Sequence, residues 1–126
     1  MKSESLVYLT DAVVITAVVP AGHADAILKA ARELGASGGI VHMARGTGAR
    51  ERLGLLGIAV EAEKEVINII VASDHQDMIA EAVYRAGEMD VPASGYLYIM
   101  PIDRMALYLP EEARQRLDQR LGSAAN

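Results

Sequence analysis

The sequence matches itself when it is shifted by 52 residues. The aligned identities are Val14 with Val66, Ile15 with Ile67, Val19 with Val71, His23 with His75, Asp25 with Asp77, Ile27 with Ile79 and Gly35 with Gly87. In each copy an apolar run precedes an amphipathic stretch and then a glycine, which is the order of a strand, a helix and a helix end. A further strand candidate follows each copy, so the repeat predicts two β-α-β units. Two such units make a ferredoxin-like fold of the α+β class, with an antiparallel sheet and both helices on one face.

The limits of these elements can be read from local signals. The first apolar run covers residues 12–19 and ends at Pro20, and the helical pattern that follows stops at Gly35. In the second copy Ser73 and Gln76 have the spacing of a capping box, which predicts the start of the second helix.

Both faces of the predicted sheet are apolar. The runs at 12–19 and 66–72 are apolar at nearly every position, although helices can cover only one face. A contiguous exposed apolar patch marks an interface, so the pattern predicts a homo-oligomer. The alternative cover is a C-terminal helix over 110–121, whose apolar stripe of Ala113, Leu117 and Leu121 is narrow for a whole sheet.

Composition excludes several classes of function. The 126 residues suit one domain, and the absence of cysteine excludes disulfides, thiolate metal sites and a cysteine nucleophile. A net charge of −5 argues against a nucleic-acid partner. Residues 1–11 read as an arm or edge strand without a signal peptide, and no apolar run is long enough for a membrane span, so we expect a cytoplasmic protein.

A strand candidate over 38–44 leads into the segment Arg45, Gly46, Thr47 and Gly48. Glycines expose backbone N–H groups, and a cation and a hydroxyl stand beside them, which are the components of an anion nest. A tight turn at the end of a strand is the alternative. His42, within the strand, is predicted to be partly buried.

The connection over 51–65 is long for a compact domain, and long connections tend to be functional. Glu61, Glu63 and Glu65 alternate along it and would share one side of a strand. That pattern suits a divalent-ion or acid-base site, a partner-docking surface, or a solvated hairpin edge. We favour the solvated edge, where charge discourages pairing with other strands.

Over residues 12–109 the sequence resembles the PII-type signalling proteins, specifically a branch with a short T-loop. The resemblance rests on the order of several short segments: Val19-Pro20, the helix end at Gly35, the Gly-Gly-Ile-Val and Ala-Arg-Gly-Thr-Gly runs from Gly38 to Gly48, Glu61 to Val66, Pro92 to Gly95, and Pro101 to Met105. It implies a trimer of ferredoxin-like subunits that binds a small ligand, usually an adenine nucleotide, in clefts between subunits. It assigns 49–63 to the T-loop, which would dock on a membrane transporter or regulated enzyme. Residues 110–126 follow the resembling region and are predicted from their own pattern as a C-terminal helix and tail. It implies no prosthetic group, metal site or catalytic residue.

The resemblance also implies a set of ligand-binding residues. Gly46, Thr47 and Gly48 match the base of the T-loop, Lys64 matches a lysine before the third strand, and Ile70 matches a residue of the base pocket. Ser94, Gly95 and Tyr96 belong to the B-loop before the fourth strand, and Arg45 and Arg104 are candidate replacement cations.

Three cations of the family pattern are absent. Tyr96 stands where the B-loop has a lysine, and Leu107 and Leu109 stand where the C-terminal segment has arginines. Each lost charge-assisted contact removes roughly 1.5–3 kcal/mol. The sequence therefore predicts weak ATP binding and a less charged ligand, such as AMP, ADP, a cyclic dinucleotide or bicarbonate.

Two other functions fit the same scaffold. A small enzyme on a trimeric ferredoxin-like fold would need a nucleophile and a base, and the sequence offers no such pair at close spacing. An RNA-binding module would need exposed aromatics on the central strands, and 13–19 and 66–71 have none. The sequence thus favours a ligand-sensing regulator.

Overall fold

A computed structural model describes residues 6–46, 62–92, 94–108, 110–112 and 115 of the protein. Its strands are β1 (Leu6–Leu9), β2 (Ala12–Pro20), β3 (Ile40–Gly46), β4 (Ala62–Ala72), β5 (Tyr96–Ile102) and β6 (Met105–Tyr108), and its helices are α1 (Ala24–Glu33) and α2 (Gln76–Ala86). A single 3-10 turn, Ser73–His75, leads into α2. Within these ranges neither helix is long and apolar enough to cross a membrane.

The main sheet has the strand order β3-β4-β2-β5, and every neighbouring pair is antiparallel. The strands and helices form the two units β2-α1-β3 and β4-α2-β5, with the second strand of each unit at an edge. This is the ferredoxin-like double β-α-β arrangement that the repeat predicts.

The core lies between the two helices and one face of the central strands. Because side chains alternate along a strand, every second residue of β2 and β4 points toward the helices. Ile15, Ile67 and Ile69 are fully buried on this face, and Ile27 and Ile79 meet them from α1 and α2. The sequence has no Phe or Trp, so aliphatic side chains build this interior.

The start of α2 differs from the predicted capping box. The Gln76 side chain donates to the backbone carbonyl of Ser73 at 2.9 Å, and the Ser73 hydroxyl donates to the carboxylate of Asp11. Asp11 lies in the bend before β2, next to Ser73. The Ser73 backbone N–H also donates to the Asp11 carbonyl, at 3.1 Å. The prediction is therefore wrong, since a distant carboxylate takes the hydroxyl that a local cap would use.

The two helices end differently. Gly35 follows α1 with φ +101°, as predicted for a glycine after a helix. After α2 the left-handed residue is Glu88, with φ 51°, while the repeat-equivalent Gly87 is still right-handed. Gly87 is instead suited to close packing, because a Cβ there would lie 3.3 Å from Cδ1 of Ile27.

The other face of the sheet, here called the open face, is not covered by the described residues. Large apolar side chains are exposed on it, from 42% to 69% of their surface: Ile40, Ile70, Tyr96, Tyr98 and Met100. His42 lies on this face and is exposed, so its predicted partial burial is not seen, because β3 is an edge strand. Most of the predicted C-terminal helix lies outside the described residues.

Beyond the main sheet, β1 and β6 form a two-stranded antiparallel ribbon. Leu9 pairs with Met105, and Ala12 pairs with Ile102, so the ribbon keeps the register of the β2–β5 ladder across two bends. The segment 1–11, predicted as an arm or edge strand, contains a strand at 6–9. The ribbon extends the sheet past the end of β4.

Candidate functional site

One end of the main sheet, here called the loop end, brings several predicted site residues together. At this end β2 and β3 finish while β4 and β5 begin, so their terminal residues become neighbours. Lys64 pairs with both Pro20 and Ala44, and Tyr96 pairs with Val18. The predicted residues at the loop end are Arg45, Gly46, Lys64, Ser94, Gly95 and Tyr96.

Lys64 is the buried cation of this end, with only 9% of its surface exposed. It lies on β4 between the ends of two other strands, on the same side of the sheet as Tyr96. A positive charge that is held away from bulk water interacts strongly with any anion that reaches it. Lys64 is therefore a candidate contact for an anionic ligand at the loop end.

Arg45 adds a second cation, on the helix side of the sheet. It pairs with Glu63 across β3 and β4, and both side chains are exposed. Together with Met43 and Ala44 they line a shallow groove of about 350 Å³. The groove lies directly beside the point where the chain leaves β3 for the predicted T-loop.

The loop before β5 is fitted closely to the end of β2. Gly95 has φ +127°, and a Cβ at this position would lie 2.3 Å from the carbonyl oxygen of Val18. No side chain fits there without moving the backbone. Ser94 closes the same loop, because its hydroxyl and its backbone N–H both donate to the Val91 carbonyl, at 2.6 and 3.1 Å.

Tyr96 begins β5 and is 57% exposed on the open face. Its ring stacks on that of Tyr98, with 6.4 Å between ring centroids. Packing with other groups of the described chain therefore covers less than half of this side chain, and its exposed ring face can contact a planar ligand.

Two predicted residues lie away from the loop end. Ile70 is on the open face of β4, six residues beyond Lys64 and thus about 20 Å along the strand. Arg104 follows β5 at the opposite end of the sheet, where its guanidinium lies 5.1 Å from the centroid of the Tyr8 ring. Thr47 and Gly48 lie outside the described residues. A single chain therefore does not unite the whole predicted set.

Glu65 has a role that the sequence interpretation missed. One of its carboxylate oxygens accepts hydrogen bonds from the backbone N–H groups of Gly22, His23 and Ala24, at 2.5, 2.8 and 3.1 Å. The interpretation as a solvated edge is therefore wrong for this residue. Its donors lie more than 40 residues earlier in the chain, so no local pattern could have revealed the contact.

The histidines do not converge. His23 and His75 stand directly before α1 and α2, at the repeat-related positions that the sequence indicates. Among the described residues, no group of three or more His, Asp or Glu side chains could hold a metal ion.

Comparisons with known proteins place this geometry in context. The family profile described as Nitrogen regulatory protein P-II matches residues 12–112. A crystal structure of Arabidopsis thaliana PII bound to citrate superposes with a TM-score of 0.59, covering 75% of this chain and 79% of that chain at 17% sequence identity. At that identity the superposition shows the fold alone. A search of curated proteins found no match.

Proposed function

The chain belongs to the P-II nitrogen regulatory protein family, and from this premise we propose that it senses a small ligand between subunits and reports it through its T-loop. The observation that carries the proposal is the gathering of predicted residues at the loop end, where the buried cation Lys64 lies on the side of Tyr96, Arg45 lies on the helix side, and the constrained loop around Gly95 lies at the end of β2. These groups flank the two strands from which the T-loop leaves.

We propose a homotrimer in which the open face is the subunit contact. Exposed side chains of this size in one continuous patch are costly in water. The central pair Thr16 and Asn68 is joined by a hydrogen bond of 2.8 Å, so the Thr16 hydroxyl and the Asn68 side-chain oxygen already have a partner in the middle of the face.

Two subunits would complete each binding site. The predicted residues of one chain divide between the loop end and the opposite end of the sheet, where Arg104 lies. If the loop end of one subunit meets the far end of the next, Lys64 and Arg104 can contact one ligand. This assembly explains why a single chain leaves the predicted set divided.

The proposed ligand is a small anion or a nucleotide of modest charge, such as ADP, AMP or a cyclic dinucleotide. Lys64, Arg45 and backbone N–H groups can pair with a few negative charges, while Tyr96 offers an aromatic face to a base. The plant PII structure holds citrate, a small polycarboxylate, which fits the same anionic class.

The output would pass through the T-loop, predicted for 49–63. Gly46 pairs with Ala62, so the two strand ends that carry the segment are held together at the loop end. A ligand that contacts Lys64 acts two residues from that junction. We propose that the ligand changes the conformation of the T-loop and thereby its contact with a membrane transporter or an enzyme in the cytoplasm, with no nucleic acid involved.

Two measurements test this function. Light scattering after gel filtration should give about 40 kDa, the mass of three 13.4 kDa chains. Thermal unfolding with ATP, ADP, AMP, cyclic dinucleotides, bicarbonate and citrate should show stabilisation by at least one, because a ligand at 100 times its Kd adds about 2.7 kcal/mol. ATP should stabilise less than ADP. A monomer whose unfolding temperature responds to none of these compounds would overturn the proposal.

A further inference from the structure

The carboxylate of Glu65 holds the beginning of α1. The first N–H groups of a helix lack partners within the helix, and His23, which precedes α1, provides no side-chain cap. Glu65 supplies the missing acceptor from β4, with three hydrogen bonds to Gly22, His23 and Ala24. A carboxylate at this end also interacts favourably with the helix dipole.

This anchor lies directly beside the proposed ligand site. Glu65 follows Lys64 along β4, so the two side chains share one segment of backbone. A second bond reinforces the connection, because the Ala21 N–H donates to the Glu63 carbonyl at 3.3 Å. The start of β4 is therefore joined to the start of α1 by both side-chain and backbone hydrogen bonds.

The start of α1 also contacts the beginning of the loop that leads to β5. The Nδ1 atom of His23 lies 3.0 Å from the carbonyl oxygen of Pro20. A carbonyl only accepts, so Nδ1 carries the hydrogen. Nε2 lies 3.8 Å from the Glu88 carboxylate and forms an ion pair with it when the imidazole is protonated. One turn further, Ile27 packs against Gly87 so closely that a Cβ on Gly87 would be in contact with it.

We propose that Glu65 is a positioning residue that couples the base of the T-loop to the loop before β5. The path runs from Lys64 through Glu65 to the start of α1, and from there through His23 to Glu88. The loop that begins at Glu88 ends at Gly95, which is seated on β2 beside Tyr96. Both ligand-contacting loops then respond together to one ligand. This inference deepens the proposed function and rests on it for the identity of the ligand.

Hydrogen exchange of backbone amides in the full chain tests the coupling, first without ligand and then with ADP. In Glu65→Ala, exchange at residues 22–24 should accelerate about tenfold or more, because charge-assisted hydrogen bonds are lost. Exchange at 88–92 should accelerate as well, although Glu65 does not touch that segment. Glu65→Gln retains an acceptor oxygen and should keep most of the protection at both places.

Two further variants test the contact of His23 with Glu88 and the effect of removing a negative charge from β4. His23→Phe keeps the backbone N–H that Glu65 binds but loses the imidazole contacts, so 22–24 should stay protected while 88–92 exchanges faster. Glu63→Ala is the matched control, since it removes the same charge from the same side of the same strand. In this control both segments should exchange as in the unmodified protein.

Adding ADP tests whether a ligand acts through this path. ADP should slow exchange at 62–66 and at 88–92 in the unmodified protein, and only at 62–66 in Glu65→Ala. If ADP does not change exchange in the unmodified protein, ADP is not the ligand of the proposed site. The comparison of variants without ligand still tests the coupling through Glu65. Glu65→Ala that alters 22–24 but leaves 88–92 unchanged would overturn the inference, and so would His23→Phe with unchanged exchange at 88–92.

Discussion

Thr16 on β2 and Asn68 on β4 pair with each other in the sheet and are separated in sequence by the 52 residues of the internal repeat. Other β2–β4 pairs are separated by different distances, so the approximate two-fold axis that relates the two β-α-β units passes through this pair. The Thr16 hydroxyl donates to the Asn68 side-chain oxygen at 2.8 Å, on the open face. Positions 16 and 68, which are equivalent in the repeat, are thus in direct contact at the centre of the sheet.

Removing this hydrogen bond should destabilise the protein. Thr16 is 3% exposed, so Thr16→Val keeps the shape of the side chain but leaves the Asn68 oxygen without its donor. We expect the free energy of unfolding to fall by about 1–2 kcal/mol. Urea unfolding at one fixed protein concentration measures the change. Thr10→Val, at an exposed position, should change stability by about 0.5 kcal/mol or less; equal effects at the two sites would contradict the assigned role of the pair.

The same repeat explains how much of the fold could be predicted. Strand, helix and glycine recur at one offset, which was enough to give the order of elements and the antiparallel sheet. The repeat does not persist to the last strand. Ile40 pairs with Asn68 and Tyr98 pairs with Thr16, so these two are the structural equivalents, although the 52-residue offset does not align them. The second unit is longer than the first at the end of α2 and in the loop before β5. At the end of α2 the residue with positive φ is Glu88 and not Gly87, which the repeat predicts as the end of the helix.

Gly95 should tolerate no side chain. Its φ of +127° disfavours other residues, and a Cβ would also collide with the Val18 carbonyl at 2.3 Å. Gly95→Ala should lower the free energy of unfolding by about 2 kcal/mol or more and weaken any stabilisation by ADP, because the loop beside Tyr96 must move.

Gly38→Ala is the matched comparison for Gly95→Ala. Gly38 has φ +138°, but no atom lies within 4 Å of the position of its Cβ. It therefore tests backbone strain without a collision, and thermal unfolding should show a smaller loss than for Gly95→Ala. A Gly95→Ala variant no less stable than Gly38→Ala would show that close packing of this loop is unimportant.

The open face should be an interface, and two tyrosines with nearly equal exposure test this. Tyr98 lies on the open face and is 44% exposed, and Tyr84 lies on α2 and is 43% exposed. Tyr98→Asp would bury an unpaired charge in the proposed subunit contact, so light scattering should show dissociation toward 13.4 kDa. Tyr84→Asp should leave the mass unchanged. Identical masses for both variants would count against burial of the open face.

The candidate site was less accessible to sequence reasoning than the fold. Lys64 and the loop residues around Gly95 could be proposed from the family resemblance, and the strand register brings them to one end of the sheet. The contact of Glu65 with the start of α1 could not be proposed, because it joins residues more than 40 positions apart and uses backbone donors that have no sequence signature. Long-range contacts of side chains with backbone groups are set by packing and not by local pattern.

Lys64 should contribute much of the binding energy for an anionic ligand. Lys64→Met removes the charge but keeps a flexible apolar chain that can fill the same buried space. Losing one charge-assisted contact costs roughly 1.5–3 kcal/mol, so the affinity for ADP should fall by about ten- to a hundredfold in titration calorimetry. Lys29→Met is the control, because Lys29 is an exposed residue of α1 away from the loop end, and it should leave the affinity unchanged. Circular dichroism should show that both variants are folded. If Lys64→Met binds ADP as tightly as Lys29→Met does, Lys64 does not contact the ligand, and the cation at the loop end must be Arg45 or come from a neighbouring subunit.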